Sequence, residues 1–176
     1  MQAIKKRLIS LPNAREGFEL TKIFESLFNT QCLTSATLTG GAAATVTLGN
    51  AITAMIAGQC VSKASASAFT LNGPTVLTAT SQVYVFLMDS AGTLSVLPGV
   101  PAATLAGVQW PVIPELTLGA GTGGLAIGNP AVVVGSMTMT NTSGSSFIPA
   151  TTLLNVANLG LVFNNTVGPF FPIQVL

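Results

Sequence analysis

Apolar residues recur at Leu20, Ile23, Phe24, Leu27 and Phe28, the spacing that lines one face of an α-helix, while Glu19, Lys22 and Glu25 fall on the other side. Asn13, followed three residues later by Glu16, fits a reciprocal N-cap in which two side chains satisfy amides that a helix start leaves unpaired. The pattern predicts a helix beginning near Ala14, with Gly17 weakening its first turn. So apolar a stripe needs a surface to lie on, either the chain's own body or another subunit.

After Asn29 the period shortens to that of strands. Residues 35–39 and 44–48 alternate small polar with apolar side chains around Gly40 and Gly41, which reads as two strands and a turn. The clearest hairpin joins residues 82–88 to 93–97 through Asp89, Ser90, Ala91 and Gly92, where glycine takes a left-handed backbone at little cost. Pro98 and Pro101 stop its second strand, and Pro111 and Pro114 bracket a further break. Residues 131–140 read as a strand with Gly135 a candidate bulge, 141–146 as a loop, 159–163 as a last strand and 170–176 as an apolar tail. Short strands punctuated by Gly and Pro predict a mainly β fold. The expected architecture is an antiparallel β-sandwich or barrel, jelly-roll-like, over residues 31–176, preceded by a helical arm over residues 1–30.

Charge divides the chain at the same place. Eleven residues of 176 are charged, and from Ser26 onward only Lys63, Asp89 and Glu115 remain. A dispersed soluble surface is roughly 25–35% charged, so a body this bare is expected to be covered by other protein. Hydrophobic residues make up 49% of the chain and mean hydropathy is +0.67, the reverse of a disordered composition. The net charge of +1, with Lys5, Lys6 and Arg7 as the one basic cluster, gives no footprint for nucleic acid. The start lacks the long apolar region of a secretory signal, because Pro12, Asn13, Arg15 and Glu16 interrupt it. Residues 42–61 are the most membrane-like stretch, but Asn50, Gln59 and the Thr alternation suit strands better than a span, so no membrane partner is expected.

Candidate chemistry is sparse. There is no histidine, the commonest general base and metal ligand, so no metal site and no cofactor are expected. Asp89 and Glu115 form the one possible carboxylate pair of the body, and Asp89 opens a loop where aspartate is expected for turn geometry. A Ser–Lys pair would need Lys63, within residues 61–67, which read as an exposed linker. Gly119, Gly121 and Gly124 match the letters of a dinucleotide fingerprint, but a β-branched run follows them and no acid does, so they read as a loop. Asn141 and Asn164 open glycosylation-type triplets that, without a secretory signal, are loop composition. Cys32 and Cys60 read as two buried free thiols, because a disulfide would need an oxidising compartment. No enzymatic activity is expected.

Three runs carry a family resemblance: Tyr84-Val85-Phe86-Leu87-Met88-Asp89-Ser90-Ala91-Gly92-Thr93-Leu94, the Pro-rich break from Pro98 to Pro114 leading to Ala126-Ile127-Gly128, and Val132-Val133-Val134-Gly135-Ser136-Met137-Thr138-Met139-Thr140-Asn141 followed by Ser146-Phe147-Ile148-Pro149-Ala150-Thr151-Thr152-Leu153. Over this region, less than half of the chain, the sequence resembles virion surface proteins of tailed bacteriophages, of the capsid decoration (cement) and fibre-like kind. It departs from them at Ala150, where the resemblance leads one to expect glycine after proline. The resemblance implies a β-rich body on the capsid surface, commonly a homotrimer, anchored through a terminal segment to the major capsid protein. Leu20, Ile23, Phe24, Leu27 and Phe28 are then the expected docking residues. A tail, collar or fibre component is the neighbouring expectation. A carbohydrate-binding β-module attaching to a host is a third, and Trp110 beside Pro111 would be its platform.

Overall fold

The computed structural model describes residues 30–41, 43–111, 131–142 and 144–168. The expected helix, its stripe from Leu20 to Phe28, Glu115, the glycines at 119–124 and the tail at 170–176 lie outside these residues. The described chain is mainly β, with strands β1 (Gln31–Cys32), β2 (Leu38–Gly40), β3 (Thr45–Leu48), β4 (Ile52–Ile56), β5 (Gln59–Lys63), β6 (Ala68–Thr70), β7 (Thr80–Asp89), β8 (Leu94–Pro98), β9 (Ala131–Asn141) and β10 (Leu159–Asn165). A short 3-10 turn at Leu105–Gly107 is the one helical element among the described residues.

The strands form three antiparallel sheets. The largest runs in the order β10-β9-β7-β8, and two three-stranded sheets run β2-β3-β6 and β1-β4-β5. The period-two pattern sets what each strand buries. In β3, Val46 and Leu48 point inward, and in β4, Ile52, Ala54 and Ile56 do. These side chains, with Leu38 and Phe69, join Tyr84, Phe86, Met88, Val132, Val134, Met137 and Met139 in one core to which all three sheets contribute. Burying a large side chain of this kind contributes roughly 1.5–3 kcal/mol, and the Phe69 and Phe86 rings meet at 4.8 Å between centroids, a favourable tilted pair.

β7 and β9 alternate differently, because both faces of their central segments are covered. Val83, Val85 and Leu87 lie on the face away from that core, with Leu97, Ala131 and Val133, and Val108 packs over them. This explains why residues 83–88 read as a continuous apolar run rather than an alternating one. The β7–β9 register shifts between Phe86 and Leu87, opposite the expected bulge at Gly135. A Cβ there would stand 2.5 Å from the Asn164 carbonyl oxygen and 2.6 Å from Leu38 Cδ1, so only glycine fits.

One turn closes as the sequence predicts, and others were not foreseen. The 89–92 loop closes as expected, with the Asp89 carboxylate accepting the amides of Ala91 (2.9 Å) and Thr93 (2.7 Å), and Gly92 at φ +76°. At residues 148–151, the Thr151 amide donates to the Ile148 carbonyl (3.2 Å) and Ala150 takes φ +62°, so the proline–alanine corner adopts the geometry that glycine would favour. Residues 61–67 are a linker only in their second half: Val61, Ser62 and Lys63 close β5 and pair with β4, and residues 64–67 form the turn that leads to β6. The β4–β5 turn escapes the sequence because Ala57 (φ +49°) and Gly58 (φ +78°) make a two-residue hairpin turn with alanine in a left-handed position.

One end of the body is tied by a doubled corner. Val76 and Phe147 exchange both backbone hydrogen bonds at 2.9 Å, and each precedes a turn with a left-handed alanine, Ala79 or Ala150. Asn141, fully buried rather than in a surface loop, donates through Nδ2 to the carbonyls of Val76 and Ser145 (3.1 Å each) and accepts from Asn158 Nδ2 (2.9 Å).

Candidate interaction surface

Among the described residues the carboxylate and the lysine that the sequence offers for chemistry stand in different settings. Asp89 is buried, and its Oδ1 is held by two amides of its own loop. Lys63 ends β5 and lines an open groove of about 460 Å³ with Ser67, Ala68, Ala91, Gly92, Thr93 and Leu94. Apart from Lys63 and Leu94, the walls of this groove are small uncharged residues, which can hold water or a loop.

Cys32 and Cys60 flank β4 in one sheet, but their partners across it are Ala54 and Met55, consecutive residues whose side chains point to opposite faces. Cys32 is buried and its thiol is pushed above the usual range by loss of solvent, whereas Cys60 is exposed. Both are free thiols, so the expectation of two buried thiols holds for Cys32 alone.

Tyr84 is buried in the main core and donates its hydroxyl to Gln82 Oε1, and Gln82 Nε2 donates to the Gly99 carbonyl (2.7 Å). Burial raises the Tyr84 phenol well above the ordinary tyrosine range. Tyr84 is therefore closed to any ligand, whereas Trp110, the expected platform, is 55% exposed.

Among the described residues, large apolar side chains stand exposed beside uncharged polar ones. Leu77, Ile148 and Leu153 are exposed at the doubled corner, and Val100 and Leu105 join Trp110 on the excursion that follows β8. Val162 stands at the centre of β10 with 59% of its surface open. Exposed large hydrophobics without interspersed charge are suited to contact with protein or an apolar surface, because no ion has to be desolvated. Sequence reasoning missed Val162, since Leu161-Val162-Phe163 reads as an apolar run. It missed Leu77 and Ile148 as well, whose signal was their position just before turns. The expected docking residues Leu20, Ile23, Phe24, Leu27 and Phe28 lie outside the described residues, so nothing here brings them together with this surface.

No protein-family model, no curated protein and no solved structure matches this chain.

Proposed function

We propose that the protein is a non-enzymatic structural component of a tailed-phage virion, a capsid decoration (cement) protein that docks on the major capsid shell and bridges neighbouring capsomers. Its body would be an antiparallel β-sandwich, the large sheet facing the two small ones. The observation that carries the reading is the charge distribution: the described body holds one lysine and one aspartate, and the aspartate is consumed by its own turn. Such a body gains little by remaining dispersed and loses little by being covered. The charged leading segment, with Leu20, Ile23, Phe24, Leu27 and Phe28 on one helical face, is the anchor in this proposal, and the body self-associates.

Deleting residues 1–30 tests the anchor. The expected result is a folded, self-associating body that no longer sediments with capsid shells. Shell binding at full occupancy by the deleted form would overturn it. A position on the tail, collar or fibre follows the same logic, and electron microscopy of intact particles distinguishes the locations.

A second reading, a carbohydrate-binding module that attaches to a host surface, is favoured by one observation, the exposure of Trp110 on the excursion after β8. Glycan binding that Trp110→Ala abolishes would select it over the cement reading.

A further inference from the structure

The two edges of the large sheet are treated differently. At β8 the strand ends in Pro98, and the chain then folds back so that Ala102 pairs with Ser81 and Val100 with Gln109. Proline and a returning segment are common ways to blunt an edge against further pairing. At β10 there is no such device: its seven residues contain no charge, no proline and no bulge, and among the described residues no strand pairs with its outer side.

Two backbone bonds fix which groups point outward. Thr142 donates its amide to the Asn158 carbonyl (2.9 Å) and Thr166 to the Val134 carbonyl (3.0 Å), bracketing the β9–β10 ladder. With Leu159 opposite Asn141 and Asn165 opposite Gly135, these two bonds make the 159–141 and 165–135 pairs non-hydrogen-bonded. The backbones of Gly160, Val162 and Asn164 therefore bond to β9, and those of Leu161 and Phe163 present N–H and C=O to the outside.

We infer that β10 pairs antiparallel with β10 of a second copy of this chain, across a two-fold axis through Val162, so that the large sheets of the two copies become continuous. The strand is self-complementary about that centre. Leu161 meets Phe163 of the partner copy, exchanging backbone bonds in both halves of the contact, four in all by symmetry. Gly160 meets Asn164, the absent side chain opposite the larger one. Val162 meets itself in a non-hydrogen-bonded pair, where side chains approach most closely, which gives its open surface a partner. On the other face, Leu161 and Phe163, half-buried against the main core, gain the cover they lack. A copy of the same chain fits this edge because its outward N–H and C=O groups stand evenly about the exposed Val162 and no like charges are brought together, as a self-complementary two-fold contact requires. The inference goes beyond the proposed function, stands whether or not the protein binds a capsid, and is an alternative to the homotrimer that the family resemblance implies.

The test uses the full chain. Sedimentation velocity is expected to show a two-chain species, twice 17.8 kDa. V162K and V162E alter an exposed side chain, place like charges opposite each other across the axis, and are each expected to lose that species. Mixing the two variants is expected to restore it, because opposite charges then meet. In the wild-type protein, the amides of Leu161 and Phe163 are expected to exchange slowly with solvent, and more slowly as protein concentration rises. A single-chain wild type whose Leu161 and Phe163 amides exchange fast, a species of three chains, or a two-chain species indifferent to both variants would each overturn the inference. The wild-type exchange measurement decides the matter even if a variant fails to fold.

Discussion

The Tyr84 hydroxyl donates to Gln82 Oε1 at 2.8 Å, two residues apart on one face of β7, and both side chains are fully buried. The amide end of Gln82 passes the connection on to the Gly99 carbonyl, which fixes how the chain leaves β8. Gly73, at φ +111°, makes room beside this node, since a Cβ there would stand 2.5 Å from Pro98 Cβ. Replacing Gln82 with leucine would strand the Tyr84 hydroxyl and the Gly99 carbonyl, at roughly 1–3 kcal/mol for each orphaned group. Tyr84→Phe strands only Gln82 Oε1 and is expected to cost about half as much. Urea denaturation of the two variants checks the ratio.

The same phenol gives the protein a high-pH limit. Its folded pKa is raised by burial above the unfolded value, so its contribution to stability is complete below the unfolded pKa and is lost as pH rises beyond it. Above about pH 10 this one group is expected to lower unfolding free energy by about 1.4 kcal/mol per pH unit. The buried Cys32 thiol acts in the same direction. Tyr84 is the only tyrosine, so ultraviolet absorbance of the phenolate follows it without interference from another. The expected result is that Tyr84→Phe removes the tyrosine part of the slope.

Ala150 sits at φ +62°, a conformation that costs an L-residue roughly 1–2 kcal/mol, while glycine adopts it freely but loses more entropy on folding. The net expectation for Ala150→Gly is a gain of about 0.5–1 kcal/mol, read as a higher denaturation midpoint at unchanged slope. A loss of stability would show that Ala150 makes contacts worth more than its strain.

Gly135 is the opposite case. Its neighbours in the way are a backbone carbonyl fixed in the β9–β10 ladder and the buried Leu38 side chain. Gly135→Ala is expected to cost about 2–3 kcal/mol through overpacking and a displaced strand. Thermal unfolding measures it.

Thiol chemistry separates the two cysteines. A native chain is expected to react at once with one equivalent of a thiol reagent, at Cys60, and with a second, at Cys32, only in denaturant. Under mild oxidation no bridge within the chain is expected, since the two thiols lie on opposite faces of their sheet.

The elements legible in the sequence were those whose turns carry their own chemistry. Asp89 and Gly92 announce the β7–β8 hairpin, and the β-branched run at 132–134 announces β9. Residues 42–61 read as strands, but the bounds of β4 and β5 were hidden because Ala57 stands where asparagine or glycine would have marked a hairpin, and because Val61-Ser62-Lys63 has too few large side chains to declare a strand. β1 and β6, two and three residues long, are too short to show any period. Asn141 looked like loop composition because its type favours loops. Its burial depends on Val76, Ser145 and Asn158 arriving from distant parts of the chain, which no local pattern encodes. The expected docking stripe was legible as a periodicity, but its target was not, because a stripe specifies only that it must be covered.

The doubled corner has a mechanical consequence. A single carboxamide, at Asn141, clasps the run into β7, the run after β9 and the run into β10, while the Val76–Phe147 exchange bolts the first two directly to each other. Force applied to any one of these three segments is thus shared by all, and a chain cut in one of them would keep its severed ends in place.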